Sequence, residues 1–162
     1  MVHMIIAFFA LASLALPQRA ASPPTLAFKE EVTIKQGGYE VTIASRSLAK
    51  NEFRITKAND GSLLLDGKRK WGVFMAPPRM RTTKVALKYQ GKSVPVPPHL
   101  WADCFNLHLS QSDVARDPTL IRLDARKDSV LVRLLGGDGA SGYLLELTLR
   151  KDGKHGRRVI VP

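Results

Sequence analysis

Apolar and polar residues alternate with a period of two along most of the chain, which is the pattern of a β-strand with one buried face. Apolar positions alternate on both sides of Gly37 and Gly38 in residues 32–43, which predicts a hairpin. Similar stretches recur every 8 to 12 residues or so, separated by Gly, Asn and Asp. Further strands are predicted over 53–55, 62–65, 71–75, 85–89, 94–96, 105–109, 121–123, 129–135, 143–149 and 157–161.

Helical signals are nearly absent from the same stretch of sequence. Only Arg46 to Asn51 resembles a helical turn, and it is too short to connect two parallel strands. The pattern therefore predicts an all-β fold, mainly an antiparallel β-sandwich, with a small β-barrel as the alternative. Pro95 and Pro97 lack the N–H group that a central strand donates, so the strand that contains them should lie at a sheet edge.

The first residues follow a different pattern. Residues 4–16 are an unbroken apolar run that ends at Pro17, shorter than the roughly 20 residues a membrane-spanning helix needs. This run is typical of a signal peptide, although cleavage after Ala21 would place Arg19 where a small residue is preferred. We predict a signal peptide over 1–21, a short linker over 22–27 and a single β-domain over 28–162. The mature chain would have no transmembrane span, and the protein would be exported, as a periplasmic or secreted protein.

Charge adds a class of partner to this picture. The chain has 25 Lys and Arg against 14 Asp and Glu, a formal net charge of +11. Such an excess favours association with polyanions. Its basic clusters are predicted to lie in turns, where they could converge into one anion-binding face. The predicted anion-binding residues are Lys68, Arg69, Lys70, Arg150, Lys151, Lys154, Arg157 and Arg158.

The segment 136–142, GGDGASG, contains the spacing of a dinucleotide-binding fingerprint. The residues after it alternate as a strand instead of opening a helix, so no helix N-terminus is available to hold a pyrophosphate. We therefore expect no cofactor and interpret the segment as a glycine-rich hairpin loop. Asp138 and Gly139 at its tip are a candidate site, because such a loop exposes backbone N–H groups to an anion or a partner.

Residues 99–108 contain the only cysteine, Cys104, together with His99, Asp103 and His108. A single cysteine excludes an intrachain disulfide. On a regular strand Cys104 and His108 would be about 13 Å apart, whereas a nucleophile and its base must lie within about 3 Å. We therefore predict no catalytic residue and no metal site, and we expect Cys104 to be a free thiol. A small metal- or Cys/His-dependent hydrolase centred on these residues is the enzyme alternative.

The favoured function is non-catalytic binding or a structural role in the cell envelope, with an anionic envelope polymer or another envelope protein as the partner. A carbohydrate-binding module is a further alternative, because Trp71 or Trp101 could stack on a sugar ring. Trp71 alternates with Val73, which favours core packing for its side chain.

Overall fold

The computed structural model describes residues 29–110, 112, 114, 117–137 and 139–161, and this part of the chain is all-β. The predicted signal peptide and linker, 1–21 and 22–27, lie outside the described residues. The strands are β1 (Lys29–Gln36), β2 (Tyr39–Ser47), β3 (Ile55–Lys57), β4 (Leu63–Leu65), β5 (Met80–Tyr89), β6 (Lys92–Val94), β7 (Ile121–Ala125), β8 (Ser129–Gly136), β9 (Tyr143–Arg150) and β10 (Gly156–Ile160). Short 3-10 helices span Pro98–Leu100 and Gly139–Ser141.

The strands form two four-stranded sheets and a small hairpin. The first sheet has the order β1-β2-β5-β6, the second has the order β10-β9-β8-β7, and β3 pairs with β4. Every pair of neighbouring strands is antiparallel, as the sequence predicted. The described strands form open sheets and do not close into a barrel, so the barrel alternative is wrong. β6 lies at a sheet edge but ends at Val94, so the bounds predicted for this strand, 94–96, are wrong and Pro95 and Pro97 lie beyond it.

The inner faces of the two sheets share one hydrophobic core. Alternate residues of each strand point into it, because side chains on a strand project to opposite faces in turn. The fully buried residues of this core include Val41, Ile43, Leu87, Val132, Leu134, Leu145, Leu147 and Leu149. A second, smaller core under the hairpin contains Leu63, Leu65, Val73 and Phe105. This second core holds the segment that follows β4 against the segment around residue 105.

Two predicted strands, 71–75 and 105–109, are wrong. Only isolated bridges form there, joining Trp71 to Cys104, Arg81 to Phe105 and Leu107 to Gly136. Backbone conformation explains the interruption, since Gly72 has a φ of 77° and Asn106 a φ of 54°, both outside the extended region. These irregular segments shape the site described next. No helix in the described ranges is long and apolar enough to cross a membrane.

Candidate binding groove

A cleft of about 530 Å³ separates segment 69–74 from residues 140–143. A second cleft of about 340 Å³ shares Gly72, Phe74, Ala140 and Ser141 with the first and extends toward Met75. We call the two together the Trp71 groove. Ligand-binding clefts are typically about 300 to 1,000 Å³ in volume. The groove is therefore large enough for a small ligand or for part of a longer one.

Trp71 lies at the rim of the groove with 37% of its surface exposed. Its backbone is held on both sides, because its N–H donates to the Asp103 carbonyl and its carbonyl accepts from the Phe105 N–H, each at 3.0 Å. The prediction of core packing for Trp71 is therefore wrong. Trp101 is the buried tryptophan, with 9% exposure. A large aromatic surface on a fixed backbone is suited to contact a ligand at little cost in conformational entropy.

Asn106 ties together the segments that form the groove. Its side-chain oxygen accepts hydrogen bonds from the N–H groups of Arg79 and Met80, at 2.9 and 3.0 Å, and its amide nitrogen donates to the Gly72 carbonyl at 3.0 Å. Its backbone N–H donates to Met80, and its carbonyl accepts from the Gly137 N–H. Sequence reasoning missed this role, and the only available signal was the tolerance of asparagine for positive φ.

Gly72 and Tyr143 form the floor of the groove. Tyr143 is buried, and its hydroxyl donates to the Phe105 carbonyl at 2.8 Å. Burial raises the pKa of this hydroxyl, so it remains a hydrogen-bond donor at all physiological pH values. A Cβ atom on Gly72 would lie 2.3 Å from the Phe105 oxygen and 2.9 Å from the Tyr143 ring. Only glycine fits between these groups.

The rim of the groove carries positive charge. Arg69 and Lys70 line the cleft beside Trp71. Arg69 pairs with Asp60 at 2.6 Å, whereas Lys70 has no ion pair with any described residue. Arg79 lines the second cleft, is exposed, and likewise makes no ion pair within the described part of the chain. The groove thus combines an aromatic surface with cations that remain available to an anionic ligand.

The predicted anion-binding residues lie in several places. Arg69 and Lys70 line the groove and Lys68 does not, while Arg150, Lys151 and Lys154 lie at the turn between β9 and β10. Arg158 is on the outer face of the second sheet, in register with Glu146. Four of the eight are already in ion pairs, namely Arg69 with Asp60, Arg150 with Asp152, Lys151 with Asp128 and Arg157 with Asp103. Of the eight, only Arg69 and Lys70 line the groove.

The glycine-rich loop forms the opposite wall. Ala140, Ser141 and Gly142 line the cleft that Trp71 borders. Gly139 is exposed with a φ of 51°, and a Cβ atom there would meet nothing within 4 Å. Asp138, the other candidate residue of this loop, lies outside the described residues. The loop that the sequence singled out is therefore next to the groove, with backbone that a ligand can approach.

Two residues of the hydrolase alternative are in contact, because Cys104 Sγ donates to the Asp103 carboxylate at 3.8 Å and Arg157 binds both, whereas His108 has a different partner. The Asp103 carboxylate accepts two hydrogen bonds from Arg157, and His108 Nε2 donates to the Gly137 carbonyl at 2.9 Å. Cys104 is fully buried, and desolvation is the main cause that raises its thiol pKa to about 12. A thiol with that pKa supplies almost no thiolate at neutral pH.

Cys104 and its neighbour Phe105 are both buried, although neighbouring side chains on a regular strand project to opposite faces. The irregular backbone explains this, because Cys104 packs in the core between the sheets and Phe105 packs under the hairpin.

No group of three or more His, Cys, Asp or Glu side chains in the described ranges is placed to hold a metal ion. Comparison of the chain with protein-family models, with curated proteins and with solved structures gives no match. We therefore infer the function from the chemistry of the groove itself.

Proposed function

We propose that the protein is an exported, non-catalytic β-sandwich that binds an anionic polysaccharide in the Trp71 groove. The observation that carries the proposal is the exposed Trp71 indole beside Lys70, on a backbone fixed by hydrogen bonds. The apolar face of a sugar ring packs against an indole, and a lysine ammonium group binds a sulfate or carboxylate on the same sugar.

The form of the groove supports a polymer as the ligand. Its two clefts share Gly72 and Phe74 as lining residues, so an extended chain that occupied both would contact Lys70 in the first and Arg79 in the second. Rigid walls reduce the entropy lost on binding, and Asn106 provides that rigidity by connecting both walls. The cell-envelope setting rests on the apolar run at 4–16, which is typical of a signal peptide.

A binding role is favoured over the hydrolase by the state of the candidate catalytic groups. The Cys104 thiol is buried, with a pKa of about 12, and the nearby Asp103 is occupied by Arg157. An activated nucleophile needs a lowered pKa or an adjacent base. Turnover separates the two functions, because a hydrolase converts its substrate to product and a binding protein does not.

The test compares dextran sulfate with uncharged dextran, which share one glucan backbone. We expect the protein to bind dextran sulfate, with an affinity that falls steeply as salt increases. Trp71→Ala should weaken binding about fivefold, as expected for the loss of one aromatic contact. Lys70→Gln should lower the slope of log affinity against log salt by roughly one.

The matched control is Lys57→Gln, because Lys57 is exposed on β3 and does not line either cleft of the groove. Equal losses in Lys70→Gln and Lys57→Gln would show that general charge drives binding, and would overturn the groove as the site. Equal affinity for both glucans would instead favour a neutral carbohydrate-binding module. Unchanged affinity in Trp71→Ala would also contradict the proposal.

A further inference from the structure

The outer face of the second sheet carries one row of charged residues across all four strands. Arg122 on β7 is directly opposite Arg133 on β8, Arg133 is opposite Glu146 on β9, and Glu146 is opposite Arg158 on β10. Directly opposite residues project from the same face of a sheet. With strands about 4.8 Å apart, this arginine row is about 14 Å long.

The arginine row contains three arginines and only one acid, Glu146. Arg133 Nε donates to Glu146 at 2.8 Å, which leaves Arg122 and Arg158 exposed and without an ion pair to any described residue. Arg122 and Arg133 are like charges in direct opposition, an arrangement that destabilises a sheet. An external anion bound between them would remove that repulsion.

An apolar row lies next to the arginine row on the same face. Leu135 is opposite Leu144, Leu144 is opposite Ile160, and the Leu135 N–H donates to the carbonyl of Leu120. These four residues are partly exposed and line an open, mostly apolar cleft of about 380 Å³. The two rows are two residues apart along each strand, which is about 6.6 Å.

We propose that this face docks on a membrane surface that contains anionic lipids. The arginine row would bind lipid phosphates, while the apolar row would enter the boundary between the headgroups and the acyl chains. Arginine suits this position, because its long apolar stem lies along the apolar surface while the guanidinium reaches the phosphate.

Other occupants fit the face less well. A second copy of this chain, packed face to face, would bring two rows of net positive charge together, which opposes association. An anionic polymer would use the arginine row and leave the apolar row without a partner. A membrane with anionic lipids matches both rows at once. The proposal rests on strand register and is independent of the Trp71 groove.

The test measures co-sedimentation of the purified full chain with phosphatidylcholine vesicles that contain or lack phosphatidylglycerol. Arg122→Gln/Arg158→Gln should weaken binding to the anionic vesicles about tenfold. Lys57→Gln/Lys92→Gln is the matched control, since it removes the same charge from exposed residues of β3 and β6. It should leave binding nearly unchanged. All variants share residues 1–28, so differences in their vesicle binding arise from residues 29–162.

Thermal unfolding of each variant checks that it is folded. The double variant removes the Arg122–Arg133 repulsion, so its thermal midpoint should be unchanged or higher. Leu144→Ser provides a second readout and should weaken binding to vesicles with the anionic lipid. The proposal is overturned if the double variant binds as well as the parent, if the control loses as much as the double variant, or if phosphatidylglycerol has no effect. A variant that instead changes the oligomeric state, measured by analytical ultracentrifugation, would assign the face to self-association and overturn it too.

Discussion

The guanidinium of Arg157 meets the carboxylate of Asp103 through two hydrogen bonds, of 2.7 and 3.1 Å. Arg157 is on the inner face of edge strand β10, in register with the buried Leu147. The two side chains of the pair are only 17% and 32% exposed. Arg157, which was predicted to bind an external anion, therefore neutralises the Asp103 carboxylate of the same protein.

Replacement of Arg157 by alanine should therefore destabilise the fold. Charge-assisted hydrogen bonds in a sheltered setting contribute about 1.5 to 3 kcal/mol each, so we expect Arg157→Ala to lower the free energy of unfolding by about 2 kcal/mol or more. Arg158→Ala, one position along the same strand, should change it by less than about 0.5 kcal/mol. Urea unfolding of both variants measures the difference, and equal losses would contradict the structural role of the pair.

Cys104 should resist thiol reagents in the native protein. Its thiol is fully buried, and desolvation raises its pKa to about 12, so little thiolate forms even at pH 8. We expect slow labelling by dithionitrobenzoate in buffer and rapid labelling in urea. Arg157 Nη2 lies 3.7 Å from the sulfur and its positive charge favours the thiolate, so Arg157→Ala should raise the thiol pKa further and should not accelerate labelling through thiolate formation. Rapid labelling of the unmodified native chain would be inconsistent with this burial.

Glu52 connects three parts of the first sheet and its loops. It accepts two hydrogen bonds of 2.8 Å from Arg46, one from Arg81, and one of 3.0 Å from the N–H of Ala49. The hydrogen bonds from Arg46 are the largest cause of a pKa lowered from 4.5 to about 2, and they outweigh the desolvation that opposes them. Because the folded pKa is lower than the unfolded one, the ionised carboxylate stabilises the fold above about pH 4.5.

This contribution should disappear as the pH falls from about 4.5 to about 2. Glu52→Gln should lose about 2 to 4 kcal/mol at pH 7, because two arginines lose their shared partner, and its stability should depend less on pH in the acid range. The control is Glu31→Gln, an exposed acid with ion pairs of only 3.6 and 3.9 Å. Unfolding measured between pH 7 and pH 2 gives both slopes. An identical acid dependence in parent and Glu52→Gln would refute the assignment.

Gly72 offers a way to separate close packing from backbone strain. Gly72→Ala introduces a contact of 2.3 Å with the Phe105 oxygen as well as the strain of a φ of 77°. Gly67 has a similar φ of 73° with nothing within 4 Å, so Gly67→Ala carries the strain alone, about 1 kcal/mol. We expect Gly72→Ala to be destabilised by several kcal/mol more and to lose binding of dextran sulfate. Equal thermal midpoints for the two variants would show that the groove floor is not closely packed.

Period-two alternation was enough to locate most of the strands and their antiparallel pairing. Residues 145–150, for example, alternate between apolar and polar side chains and lie in β9, whose residues are buried and partly buried in turn. Alternation failed at 71–75 and 105–109, because positive φ at Gly72 and Asn106 breaks the strands there without changing the apolar pattern.

The groove could not be predicted, since it depends on contacts between distant residues. The bridge to Cys104 holds Trp71 at the rim. Arg157 binds Asp103, which precedes it by 54 residues in the sequence. Basic residues were visible in the sequence, but which of them already had acidic partners was not. The arginine row likewise requires the register of three strand pairs, which periodicity alone does not fix.

Asn106 limits how the lining of the Trp71 groove can change by substitution. Aspartate would tolerate the φ of 54° but would set a carboxylate against the Gly72 carbonyl, and glycine would lose all three side-chain hydrogen bonds. Any replacement therefore alters the scaffold and the groove together. The side chains of Trp71 and Lys70 make none of these hydrogen bonds, so substitutions at the rim can change the chemistry of the groove while position 106 stays asparagine.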